Sequence, residues 1–312
     1  MIKLSTSLSL LLIFVALTGC DNRVATEKEE TITPLAASTV SKNKEQHANL
    51  SLFLDAAEIA FKQLSESGSS LQLAIEQFIH APTSNNLTQA NKVLLDTHHR
   101  YMLAQVFQKI DILHPEFDLL QSQPTVIHPL DIRLDQHPII PGYLDAVPDF
   151  PASGLIFSEQ ALSAEFLNSE HQFSDKAYVA IGFHALELLL TGGLNQTTNE
   201  RSLEFGNLSK APEDEHLPNF RRSHYVQLLA ELINNDLKKL STAWTKREGF
   251  YPTTLNKLLP EESDRLIQQA YKIEEHALSQ IKEHNKDNHL SAIEERKAQL
   301  ALILKNQNQQ NN

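Results

Sequence analysis

The sequence predicts an all-α protein. Apolar residues recur at helical spacing from Leu50 onward, whereas the strict alternation of half-buried strands is scarce. The 312 residues include only 9 glycines, few for a chain rich in hairpins and turns. With 41% hydrophobic residues there is enough apolar material for a large packed core.

The first helix is expected from Leu50, where Leu50, Leu54, Ala57 and Phe61 share a face with Phe53, Ala60 and Leu64 beside them. Ser67-Gly68-Ser69 reads as a break. A second helix then carries Leu71, Ile75, Phe78 and Ile79 and ends at Ala81-Pro82-Thr83, because proline disfavours helix in the residue before it. Thr83 or Ser84 can cap the next helix, which runs through Leu87, Ala90, Leu94, Tyr101, Ala104 and Phe107. Residues 112–156 carry Pro115, Pro124, Pro129, Pro138, Pro141, Pro148 and Pro151, a density that predicts no regular helix. The same stretch holds Val126, Ile127, Leu130, Ile132, Ile139, Ile140 and Tyr143, too much apolar surface for disorder. It reads as a long, ordered, proline-rich excursion packed on helices. Helices are expected again over Ser158–Leu167 and over Ser174–Leu190, the latter stopped by Thr191-Gly192-Gly193. After a polar loop at 194–218, Phe220–Trp244 presents Tyr225, Leu228, Leu229, Leu232, Leu237 and Leu240 on one face. Two further helices are expected near 261–283 and 290–304, before a polar tail.

The N-terminus has its own logic. Lys3 precedes an apolar run, Leu8–Leu17, and then Leu17-Thr18-Gly19-Cys20. A basic start, a short apolar core and small residues at the cut make a secretory signal, too short to span a bilayer comfortably. Cys20 is the only cysteine and resembles the lipidated cysteine of a bacterial lipoprotein's lipobox. The expected organisation is therefore a signal peptide at 1–20, a flexible polar tether at 21–48 and a folded domain at 49–305. With Cys20 lipidated, the mature protein has no disulfide, no thiolate ligand and no cysteine nucleophile. The lipid supplies the membrane contact. A net charge of -12 argues against a nucleic-acid partner, which wants a basic patch, and against electrostatic docking on anionic lipid. Asp21 directly after Cys20 resembles an inner-membrane retention signal, which predicts the periplasmic face of that membrane.

The chemistry concentrates in Gly182-Phe183-His184-Ala185-Leu186-Glu187. His184 and Glu187 are three apart and so neighbours on one helical face. An imidazole beside a carboxylate on an otherwise apolar helix (Val179, Ile181, Phe183, Leu186, Leu188, Leu189, Leu190) must be hydrogen-bonded, ion-paired or metal-bound. Spacing alone leaves a structural pair and a metal site both open. Position 188 is leucine, so the second histidine of a His-Glu-x-x-His zinc peptidase is missing. Neither a Gly-x-Ser-x-Gly elbow nor a phosphate-binding glycine loop occurs. His98 and His99 adjoin on a helix and point in different directions, so at most one can join a core site. His128 and His137 flank Asp131 in the excursion. The chain's 14 histidines are compatible with divalent-metal affinity.

Gly-x-His-x-x-Glu followed by a leucine run and glycine resembles the signature of the imelysin family. Pro129-Leu130-Asp131, Gly142-Tyr143-Leu144-Asp145, Ser153-Gly154-Leu155-Ile156 and Arg221-Arg222-x-x-Tyr225 resemble other stretches of it, and the likeness runs from about residue 50 to 250. It implies two packed helical-bundle halves, here about 49–157 and 158–305, an envelope location, and a link to iron uptake. It also implies His184, Glu187 and Asp131 as metal residues, a divalent metal or iron as cofactor, and an iron-uptake partner protein. The helix around Asp96–Tyr101 lacks the family's usual tryptophan, the sole one being Trp244, and the part after Gly249 is shorter than the family leads one to expect. Three functions follow: a metal-binding envelope lipoprotein, a metallopeptidase using His184 and Glu187, or an interaction module whose polar pair only orders the core.

Overall fold

A computed structural model describes residues 35–110, 130–192, 196–210, 216–281 and 298. Cys20, Asp21, His128 and nearly all of the helix expected at 290–304 lie outside these residues. Among the described residues there is no β-strand, only an isolated antiparallel bridge between Val147 and Phe150, so the all-α class holds.

Helix α1 (Leu35–His80) is continuous, so residues 35–48 of the expected tether are helical. The break expected at Ser67-Gly68-Ser69 does not occur. Gly68 is buried inside α1, and a Cβ there would lie 2.9 Å from Leu237 Cδ1 and 3.2 Å from Asn234 Oδ1 on the helix Pro218–Ala243. The glycine lets two helices approach, at the usual cost of about 1 kcal/mol in helix propensity. Its polar neighbours serve the same contact: Ser69 Oγ donates to Asn234 Oδ1 (3.3 Å), and Asn234 Nδ2 donates to Gln72 Oε1 (2.5 Å). The end of α1 falls before Pro82, as the proline requires. Thr83 then caps α2 (Ser84–Gln108), its hydroxyl accepting from Asn86 N–H at 3.3 Å.

The proline-rich excursion does contain short helices, contrary to the sequence expectation. They are α3 (Leu130–Asp135) and α4 (Pro141–Leu144), followed by a 3-10 turn at Leu155–Phe157. α4 obeys the proline rule: it carries Pro141 in its first turn, where no amide donor is needed. α5 (Ala164–Glu170) begins only where Ser163 can cap it, accepting from Phe166 N–H at 3.1 Å. α6 (Phe183–Thr191) is half the expected length and ends at Gly192 as foreseen. Thr197 and Glu200 form a capping box on α7 (Thr198–Ser202), a turn missed within the polar loop. α8 (Pro218–Ala243) and α10 (Pro260–Ile281) match expectation, while α9 (Phe250–Leu255) was not foreseen.

A single connected core runs from Leu50 on α1 to Tyr271 on α10. Residues from 41 onward form one compact unit. One part of the core is an aromatic group in which Trp244, fully buried, stacks on Phe61 (5.3 Å) and Tyr251 (4.3 Å). α6 sits within this unit, packed on α2, α3, α4, α7 and α8. No helix among the described residues is long and apolar enough to cross a membrane.

Candidate metal centre

The centre begins with the conformation of Gly182. It is the N-cap of α6 with φ 97°, a region that side-chain-bearing residues rarely adopt. A Cβ there would lie 2.5 Å from the Arg133 carbonyl oxygen and 2.7 Å from that of Leu134. The glycine thus presses the start of α6 against the C-terminal end of α3. This is why α6 starts at 183 and not near 174, and it brings His184 beside Asp135.

Three buried side chains hold that junction. Arg133 Nε donates to Asp236 Oδ2 on α8 (2.8 Å), and its Nη1 donates to Asn168 on α5. His171 bridges the two segments: Nδ1 accepts from the Ala180 amide (3.2 Å), which leaves Nε2 to donate to the Ile132 carbonyl (3.1 Å). Tyr225 on α8 donates to the Ala180 carbonyl at 2.7 Å.

At the centre, two imidazoles converge on one carboxylate oxygen. His98 on α2 donates from Nε2 to Asp135 Oδ1 at 2.6 Å. His184 Nε2 lies 3.1 Å from the same oxygen. Gln105 donates to the other oxygen, Oδ2, at 3.0 Å, which orients the carboxylate. On its far side, His184 Nδ1 lies 3.7 Å from Glu187 Oε2. The ring of His98 stacks on Phe183 at 4.7 Å. The cluster grades from buried His98 (4% side-chain exposure) to part-exposed Glu187 (33%), so it opens toward solvent on the α6 side. The His137 ring stands perpendicular to that of His184, 5.4 Å away, at this rim.

The electrostatics follow from this pairing. Burial by itself would lower the His184 pKa, but the hydrogen bonds and negative charges of Asp135 and Glu187 outweigh it and push it up to about 9. Burial likewise acts to raise Asp135, yet the hydrogen bonds from His184 and His98, with their positive charge, hold its carboxyl far below the usual range. Without a metal, His184 carries a proton at neutral pH. One ring nitrogen each of His98 and His184 and an oxygen of Asp135 lie within 4.8 Å of one another, and no other such group occurs among the described residues. Two imidazole nitrogens and one carboxylate oxygen form a donor set suited to borderline divalent metals such as zinc and iron.

His184 and Glu187 do share one face and one neighbourhood. Asp131 sits on α3, one turn before Asp135; its side chain lies outside what is described. Asp135 was missed because no motif marks it; its only sequence signal is a four-residue spacing from Asp131. Of the adjacent pair, His98 joins the centre, consistent with the rule that only one could. Other stretches of the sequence likeness serve the scaffold. Asp145 accepts from Arg222 Nε (2.7 Å) and Nη2 (2.8 Å) and from Arg201 (3.1 Å), and this charge keeps its pKa low against the effect of burial. Arg201 also donates to the Leu189 carbonyl (3.0 Å), tying down the last turn of α6. Arg221 donates to the carbonyls of Leu155 (3.2 Å), Ile156 (2.6 Å) and Gln160 (2.9 Å).

No curated protein matches the chain in sequence at a significant level. The family model described as Peptidase_M75, Imelysin, matches residues 57–311, well past the end near 250 that the sequence suggested. The match takes in every residue of the centre and the helices that hold them, and the chain belongs to the imelysin family.

Proposed function

We propose that this protein binds one divalent transition metal or iron ion through His98, Asp135 and His184. In this reading it does so as a lipoprotein tethered by Cys20 to the periplasmic side of a bacterial membrane, in the service of iron uptake and with an uptake protein as partner. The convergence of His98 Nε2, His184 Nε2 and Asp135 Oδ1 carries the reading. Imelysin membership supports the envelope setting and the link to iron. The protein's own part in the chemistry is to hold three donors in register. α2 supplies the buried imidazole, α3 the carboxylate oriented by Gln105, and α6 the partly buried imidazole. A bound ion would supply Lewis acidity or be the cargo itself.

A peptidase would need three protein ligands, an open position and a base near the substrate water. Three donors are present, but Glu187 lies against the far nitrogen of His184, away from the convergent atoms, so binding is favoured over hydrolysis. The test is metal analysis of the purified full-length protein after loading with Fe(II) or Zn(II) and exhaustive dialysis. About one ion per chain is expected for wild type and none for His184→Ala. Equal and negligible metal in both would overturn the reading in favour of a structural pair.

A further inference from the structure

In the Gly-x-His-x-x-Glu motif the glutamate is the natural candidate for a metal ligand beside its histidine. We propose instead that Glu187 does not coordinate the metal but positions His184, a proposal that rests on the metal-binding reading above. The two ring nitrogens of His184 face opposite partners. Nε2 points at Asp135 Oδ1 (3.1 Å), into the convergent group, and Nδ1 points at Glu187 Oε2 (3.7 Å). Glu187 stands outside the set of atoms close enough to share an ion. At 3.7 Å the contact is an ion pair rather than a hydrogen bond; a carboxylate on the non-coordinating side of a ligating histidine favours the tautomer with its N–H there and makes the other nitrogen a better donor. Flipping the ring to hand Nε2 to Glu187 would turn it away from Asp135. The carboxylate ligand is therefore Asp135, delivered by α3, while the motif's own carboxylate tunes the imidazole beside it. The protein then offers two imidazoles and one carboxylate, with the His137 ring 5.4 Å from that of His184 on the more open side.

Cobalt(II) distinguishes the roles, because its visible absorption bands report the ligand set directly. Wild-type protein titrated with Co(II) should develop saturable bands. Glu187→Ala should keep the band positions and weaken binding by about 10–100-fold, as loss of a second partner of a ligating histidine does. Glu187→Gln should fall between wild type and Glu187→Ala, because its amide oxygen can accept from Nδ1 but carries no charge. Asp135→Asn should shift or abolish the bands. Glu187 is part-exposed, so these variants are expected to fold; thermal melts of the metal-free proteins check this. Bands shifted or lost in both Glu187 variants, as in Asp135→Asn, would make Glu187 a ligand and overturn the proposal. Unchanged affinity in Glu187→Ala would overturn it as well. Absence of bands in wild type would instead overturn the metal-binding reading, and this assignment with it.

Discussion

At the scale of single residues, His184 decides how the centre responds to pH. Burial by itself lowers an imidazole and raises a carboxylate. Here the pairing outweighs burial in both partners: His184 rises to about 9 and Asp135 falls below its usual range. A raised imidazole stabilises the fold below its unfolded value of about 6.5, and that contribution is lost as pH climbs through about 9. A lowered carboxylate stabilises above about 3.8, and its contribution is lost as pH falls. The metal-free protein should therefore melt highest between about pH 4 and 7 as far as this pair is concerned. Metal must displace the His184 proton, so affinity should climb from pH 6 toward 9 and not plateau just above 6. NMR titration of the metal-free protein should place His184 near 9 and return it toward the ordinary range in Asp135→Asn. A midpoint near 6.5 in wild type would remove the ion pair.

At the scale of elements, the junction of α3 and α6 carries the site. Gly182→Ala forces a positive φ on a side-chain-bearing residue, which costs about 1–3 kcal/mol, and drives its Cβ into two α3 carbonyls. Its melting temperature should fall by several degrees and its metal affinity should fall with it, since the same displacement parts Asp135 from His184. Metal affinity matching wild type in a folded Gly182→Ala protein would show that the junction does not set the site. Elsewhere, Arg222→Ala would leave Asp145 short of its main cation; breaking a buried pair costs about 3–5 kcal/mol, a drop in melting temperature of roughly 10 °C by calorimetry. These elements show where sequence reading succeeds and where it stops. Apolar periodicity located α2, α8 and α10, because their faces are long enough to average out local exceptions. It misread Gly68 as a break, since close helix approach and helix termination both favour glycine. It overextended α6, since the buried, non-helical run Val179–Ile181 is as apolar as a buried helix. His184 and Glu187 were legible because one helix carries both. Asp135 was not, because its partners lie 37 residues before it on α2 and across a loop on α6, a proximity that only packing creates.

At the scale of the whole molecule, a single core links α1 to α10, and the centre sits where α2, α3 and α6 meet within it. The donors are thus held by helices rather than by a free loop, which favours a preformed site over one assembled on binding. The net charge of -12 adds a field that attracts cations to the molecule. Cys20→Ser should release the protein from membranes into the soluble fraction, and a mutant that still pellets after high-salt washing would contradict lipid tethering. The central claim, an ion held by His98, Asp135 and His184, is tested most directly by calorimetric titration of the metal-free protein with Zn(II) at pH 7. Wild type and His98→Ala are compared in buffers of different ionisation enthalpy. The account predicts one ion per chain with release of about one proton, as His184 gives up its charge, and binding severely weakened in His98→Ala. No saturable binding in wild type, or the same isotherm with and without His98, would contradict it.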